Sequence, residues 1–182
     1  MKLPRFVINR VLSVLGLTLV RKPRLDSLLP EFSQRFEGED ALNFAEARSM
    51  QNRESLYNLW LAGSYCAANH LEGAFVECGV WRGGSILAMA YKLLSLNIKA
   101  EIWAFDTFQG TPRPTNEDYV ISTGDTMHSK WRPKAIAYAS IDDFNVGVKS
   151  FLDSGIDILP IQGDVRESLI HNTPPKIALL RI

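Results

Sequence analysis

The sequence predicts an α/β fold, a parallel sheet with helices on both faces, and three observations carry that expectation. Short apolar runs alternate with longer helical stretches from Ala74 to Ile182. The connections between those runs are long enough for crossovers, which parallel strands require. An acid also follows each of three runs, at Glu77, Asp106 and Asp164. In open parallel sheets ligands sit beyond the carboxyl ends of the strands, so acids there point to a binding edge rather than to packing.

The elements follow in order. "MKLPRFVINRVLSVLGLTLVRKPR" is basic at both ends and apolar between, but Asn9, Arg10, Ser13 and Thr18 interrupt it and no small-x-small cleavage site follows. It is too short and polar to span a bilayer. Phe6, Val7, Val11, Val14, Leu15 and Thr18 trace one helical face. The first expectation is a helix docked on its own domain or on a dimer mate; peripheral membrane contact is the lesser alternative. Residues 23–49 hold Pro23, Pro30 and Gly38 and are expected to form a loosely packed connector. The chain therefore divides into an N-terminal helix and connector, 1–47, and a ligand-binding domain, 48–182.

Within that domain, a helix is expected over residues 48–69 from the period of Leu56, Leu59, Trp60, Gly63 and Ala67. "AFVEC" is the first strand, and "SILAMAYKLLSLN" is a helix whose start Ser85 can cap. "AEIWAF" is the second strand, ending on Asp106. The polar stretch 107–139 is long enough to be a lid or binding loop. "SIDDFNVGVKSFLDSG" is a helix capped by Ser140, with Asp143 in a weak capping-box position. "IDILPI" is the third strand, "RESLI" a short helix, and "KIALLRI" a fourth, buried strand. The chain stops inside that last strand, where a domain seldom ends, so a fragment, incomplete at the C-terminus, is expected.

Composition narrows the function. At 182 residues, 46% hydrophobic and 22% charged, the chain can bury one real core. Twenty basic and twenty acidic residues balance. That leaves no electrostatic case for nucleic acid or an anionic membrane as the main partner. Cys66 and Cys78 lack zinc or redox spacing and fit reduced core thiols of a cytoplasmic protein. His70, His128 and His171 are isolated, so neighbouring positions build no metal cluster.

The segment "FVECGVWRGGS", residues 75–85, concentrates the chemistry. Gly79 to Gly84 has the spacing of a phosphate-binding P-loop, but Ser85 stands where that loop needs its lysine. A dinucleotide turn needs a glycine where Trp81 stands, and that side chain would block a pyrophosphate. S-adenosylmethionine carries no phosphate. A glycine turn lets the backbone reach its amino-acid end, an acid at Glu77 favours its ammonium, and a second acid at Asp106 can accept both ribose hydroxyls. Arg82 is a candidate partner for the methionine carboxylate, with an exposed turn arginine equally open. Trp81 is expected to pack beneath the turn, and His128 to be either an acceptor-side base or, more simply, a solvated loop residue.

"FVECGVWRGGS", followed by "WAFDTFQGTPRP" and "PKIALLRI", resembles the macrocin-type (TylF-like) O-methyltransferases over about residues 50–182. The resemblance implies a class I methyltransferase (Rossmann-like) fold that binds S-adenosyl-L-methionine through Glu77, Gly79, Arg82, Gly83, Gly84, Ser85 and Asp106. "IQGDVRESL" resembles the stretch beside the adenine, which adds Gly163, Asp164 and Val165. It further implies methyl transfer to a sugar or polyol hydroxyl, with residues 110–139 as the lid over that acceptor. The family's Mg²⁺ aspartates would fall after Ile182, so Mg²⁺ is expected only in a longer protein. Two rivals stay open: a non-catalytic module that binds the cofactor or a partner, and a dehydrogenase. The apolar N-terminal face is compatible with a homodimer.

Overall fold

The computed structural model describes residues 38–127, 131–134 and 137–182. The expected N-terminal helix and His128 lie outside the described residues.

Four strands, β1 (Ala74–Cys78), β2 (Ala100–Asp106), β3 (Ile156–Gln162) and β4 (Ile177–Arg181), pair in parallel in the order β3-β2-β1-β4. Around them lie α1 (Glu39–Glu46), α2 (Arg53–Ala68), α3 (Gly84–Ser95), α4 (Ile141–Val148) and α5 (Val165–His171). The order runs from β1 outward through β2 to β3, then returns to place β4 on the other side of β1. Right-handed crossovers then put α3 and α4 on one face and α5 on the other. Alternation along the strands agrees: Val76, Trp103, Phe105 and Ile161 pack with Leu169 of α5. On the opposite face Phe75, Ile102 and Ala104 are buried, as are Ile86, Leu87, Met89 and Leu93 of α3. The register pairs Glu77 with Ala104 on one side and Arg181 on the other. The β1–β4 boundary is thus the switch point, where parallel sheets open a crevice at their carboxyl edge.

Four expectations change. The connector is not loose throughout: residues 39–46 form α1, with Leu42 and Ala45 fully buried. Its first turn carries Glu39 and Asp40, which suit the positive end of a helix. The next helix begins at Arg53, because the Asn52 side chain accepts from Ser55 N–H at 3.0 Å and sets the start there. Ser85 does not cap α3. The cap position is Gly83, in a left-handed conformation, and Ser85 lies inside the first turn. The stretch 140–155 keeps its Ser140 cap on Asp143 N–H, at 3.1 Å, but the α-helix gives way to a 3₁₀ turn at Lys149–Phe151. Among the described strands, β4 stands at one edge of the sheet, with Ile177 and Leu180 42% and 52% exposed.

Candidate functional site

Asp106 ends β2, and its carboxylate is the centre of the candidate site. One oxygen accepts from Trp81 N–H and the other from Phe108 N–H, both at 2.8 Å. Both donors belong to non-glycine residues in the left-handed region, Trp81 at φ 49° and Phe108 at φ 51°. Such backbones persist only where the surroundings fix them, and here one carboxylate helps fix both. The backbone closes around the same point: Gly79 N–H donates to Phe105 C=O at 2.8 Å and Gly163 N–H to Asp106 C=O at 3.0 Å.

These residues wall a cavity of about 330 Å³ lined by Gly79, Trp81, Asp106, Gly163, Asp164 and Val165, with Met50, Thr107 and the Gly110–Pro112 segment completing it. Gly79, at φ 86°, has no heavy atom within 4 Å of where a Cβ would sit. Its backbone is therefore bare toward open space, which is what close approach of a ligand needs. A larger cavity of about 650 Å³ lies at the opposite, amino-terminal edge of the strands, between Gly73, Lys99, Glu101, Asp157 and Lys176. It contains none of the expected site residues.

The rest of the glycine turn does other work. Gly84 lets α1 and the residues after it approach: a Cβ there would lie 2.6 Å from Ser49 Cβ and 2.8 Å from Arg48 C=O. Gly83 sits over Phe144, which in turn packs on Phe108 with ring centroids 5.4 Å apart. Arg82 is engaged by Asp143, Nε to Oδ2 at 2.7 Å and Nη2 to Oδ1 at 3.3 Å. Of the expected site residues, Glu77, Arg82, Gly83, Gly84 and Ser85 do not line the cavity. Trp81, expected beneath the turn, lines it instead, and its indole N–H donates to Tyr138 C=O at 3.0 Å.

Glu77 is buried at the switch point, and one of its oxygens pairs with Arg181. With the Gln51 amide oxygen turned toward its donors, Gln51 accepts from Arg181 and from Ser85 Oγ. Oε2 of Glu77 is buried with no hydrogen-bond partner. Asp164 caps α5 through Arg166 N–H at 2.9 Å and pairs with the Arg166 guanidinium at 2.6 Å. Those bonds hold its carboxyl down to about 2. Its carboxylate is thus used within its own helix start.

Asp143 has its carboxyl held below the ordinary value of 3.8, first by the hydrogen bond from Arg82 and then by Arg48. A depressed carboxyl contributes stability above its unfolded-state pKa and loses it as pH falls through the folded value. The stability gap between wild type and Asp143→Asn is therefore expected to be constant above about pH 5 and to shrink below 3.8. Urea midpoints measured down to about pH 3 check this, and a gap that widened with acid would contradict the pairing.

Among the described residues, no group of three or more His, Cys, Asp or Glu could hold a metal ion, and no helix is long and apolar enough to cross a membrane. Neither Cys66 nor Cys78 is in a disulfide, and burial raises both thiols.

A parallel sheet with an acid closing its second strand and a bare glycine backbone facing it is the arrangement of an α/β domain that holds a ligand at the carboxyl edge of its sheet. The particular kind is fixed by comparison. The profile of the macrocin-O-methyltransferase (TylF) family matches residues 12–182, and the chain belongs to that family. The demethyldecarbamoylnovobiocin O-methyltransferase of Streptomyces niveus is 26% identical over 141 residues, 76% of this chain and 52% of that protein. An 8-demethyl-8-(2,3-dimethoxy-alpha-L-rhamnosyl)-tetracenomycin-C 4'-O-methyltransferase of Streptomyces olivaceus is 25% identical over 154 residues, 84% and 57% of the two chains. The solved structure of the O-methyltransferase NovP shares the fold, with TM-score 0.61 at 23% identity over 74% of this chain and 55% of that one. This chain spans about half the length of those relatives.

Proposed function

We propose that the carboxyl edge of β1–β3 binds S-adenosylmethionine, as the donor-binding part of an O-methyltransferase acting on a sugar or polyol hydroxyl. The observation that carries the reading is the Asp106 carboxylate, fixed on two backbone N–H groups beside the bare backbone of Gly79. Oδ2 has a lone pair left after its backbone bond. Oδ1, beyond its own backbone bond, meets the Thr107 hydroxyl at 3.5 Å, whose proton is better placed on Gly110 C=O at 2.9 Å. Each oxygen can therefore accept one ribose hydroxyl. Gly163, Asp164 and Val165 supply the cavity wall proposed for the adenine. We assign the donor's ammonium to Glu77, whose Oε2 has no hydrogen-bond partner. The residue is buried outside the cavity lining, so the contact requires its surroundings, Arg181 included, to shift on binding. The methionine carboxylate is assigned to the turn's backbone, because Asp143 already occupies Arg82. When bound, the cofactor supplies an electrophilic methyl on a sulfonium. The protein's part is to hold the nucleoside so that this methyl faces the acceptor in line.

The sugar or polyol acceptor is supported by the rhamnosyl group in the name of the Streptomyces olivaceus relative.

Thermal unfolding with and without ligand tests the reading. S-adenosylhomocysteine at 100 times its Kd should add about 2.7 kcal/mol, a shift of several degrees, while NADH should add nothing. Protection by NADH alone would favour a dehydrogenase. Donor binding alone fits both this reading and a non-catalytic module, and methyl transfer to a polyol would exclude the module.

A further inference from the structure

We propose that Arg48 is a positioning residue for the donor site, clamping the glycine turn so that Trp81 N–H stays on Asp106. The inference rests on the donor reading above and extends it to a residue outside the cavity.

Arg48 follows α1 and is buried, 8% exposed. A buried guanidinium must find partners, and this one finds them on two elements. Nε donates to Arg82 C=O at 3.1 Å. Nη2 donates to Asp143 C=O and lies 3.3 Å from Asp143 Oδ2. The backbone of the same residue accepts from Gly84 N–H at 3.0 Å. Arg48 therefore grips both ends of the Arg82–Gly84 segment, one through its side chain and the other through its carbonyl. Asp143 closes the ring by taking the Arg82 guanidinium. The first turn of α4 is thereby tied to the glycine turn.

The fold has made room for this. A Cβ on Gly147 of α4 would lie 2.7 Å from both Cζ and Nη2 of Arg48. Lysine cannot replace the arrangement, because one ammonium does not offer a planar fork reaching two acceptors.

The leverage falls on Trp81. Its left-handed backbone is unfavourable for a side chain of that size and persists only if its neighbours fix it. The bond from Arg48 to the Arg82 carbonyl fixes the Arg82–Gly83 peptide, whose N–H donates at 2.8 Å to the carbonyl of Val80. That carbonyl belongs to the same peptide that carries Trp81 N–H to Asp106 at 2.8 Å. Arg48 is not among the residues lining the cavity, so its effect on a ligand is transmitted through the turn.

Three readouts on Arg48→Lys test the clamp. S-adenosylhomocysteine affinity by calorimetry should fall about tenfold, the effect of one charge-assisted hydrogen bond. Amide exchange at Trp81, Gly83 and Gly84, measured without ligand, should accelerate. In an Asp106→Ala background the same change should weaken binding no further, since both act through one contact. A merely structural arginine would give additive losses in that cycle, and additivity overturns the proposal. Unchanged affinity with unchanged exchange overturns it too. If wild type binds no S-adenosylhomocysteine, the donor reading fails, and the exchange readout alone still decides whether Arg48 holds the turn. Should Arg48→Lys not fold, Gly147→Ala displaces the guanidinium while raising helix propensity, and the same readouts apply.

Discussion

Asp106→Ala is expected to weaken S-adenosylhomocysteine binding about thirtyfold to a hundredfold, or about 2–3 kcal/mol. Two losses combine in that figure. The ribose hydroxyls lose a charged acceptor, and such bonds are roughly twice as strong as neutral ones. The Trp81 and Phe108 amides lose their shared partner, so the left-handed turns on either side of the site relax. Asp106→Asn separates the two. Its amide oxygen can still accept from one backbone N–H, but the charge is gone, and an intermediate loss is expected. Calorimetric titration of the three proteins, each shown to be folded by circular dichroism, measures the series. Equal affinity for the alanine variant and wild type would remove Asp106 from the site.

Arg181→Met is expected to cost about 3 kcal/mol of folding stability, the range seen when one partner of a buried ion pair is removed. Glu77 is 1% exposed, and in the variant its carboxylate is left at the switch point without a counter-charge. Replacing both members with apolar residues should be far milder, because the desolvation penalty disappears along with the pair. Glu77→Leu/Arg181→Met should therefore be more stable than Arg181→Met alone. Urea denaturation of wild type, single and double variants measures both steps. A single variant within about 0.5 kcal/mol of wild type would mean that the pair contributes as little as a surface salt bridge.

The strands and their order of appearance were legible because each is a short apolar run bounded by turn residues. Asp106 was legible for the same reason: it closes such a run. The α1 helix was not. It is only eight residues long, follows a proline-rich polar stretch, and is held by Leu42 and Ala45 packing on other elements rather than by its own propensity. Arg48 was invisible with it, since its partners are 34 and 95 residues away. The same distance hid the roles of the turn residues. Arg82 and Asp143 each look exposed and available in sequence, and only the fold shows them bound to one another. Gly84 could be recognised as part of a ligand turn, yet its backbone is kept bare for Arg48 and Ser49 rather than for a ligand. Glycine patterns mark close approach without saying what approaches.

The indole bonds of the two loop-facing tryptophans bear on timing. Trp81 donates to Tyr138 C=O at 3.0 Å, which ties the later end of the stretch between Thr107 and Ala139 to the glycine turn, whereas Trp131 donates to Thr111 C=O at 3.1 Å within that stretch. At about 1 kcal/mol, the tie from Trp81 favours that contact by a factor of about five. That bias is strong enough to keep Tyr138 against the turn for most of the time. It is weak enough that release, on the microsecond-to-millisecond scale of loop motions, need not hinder entry of a ligand to the proposed site.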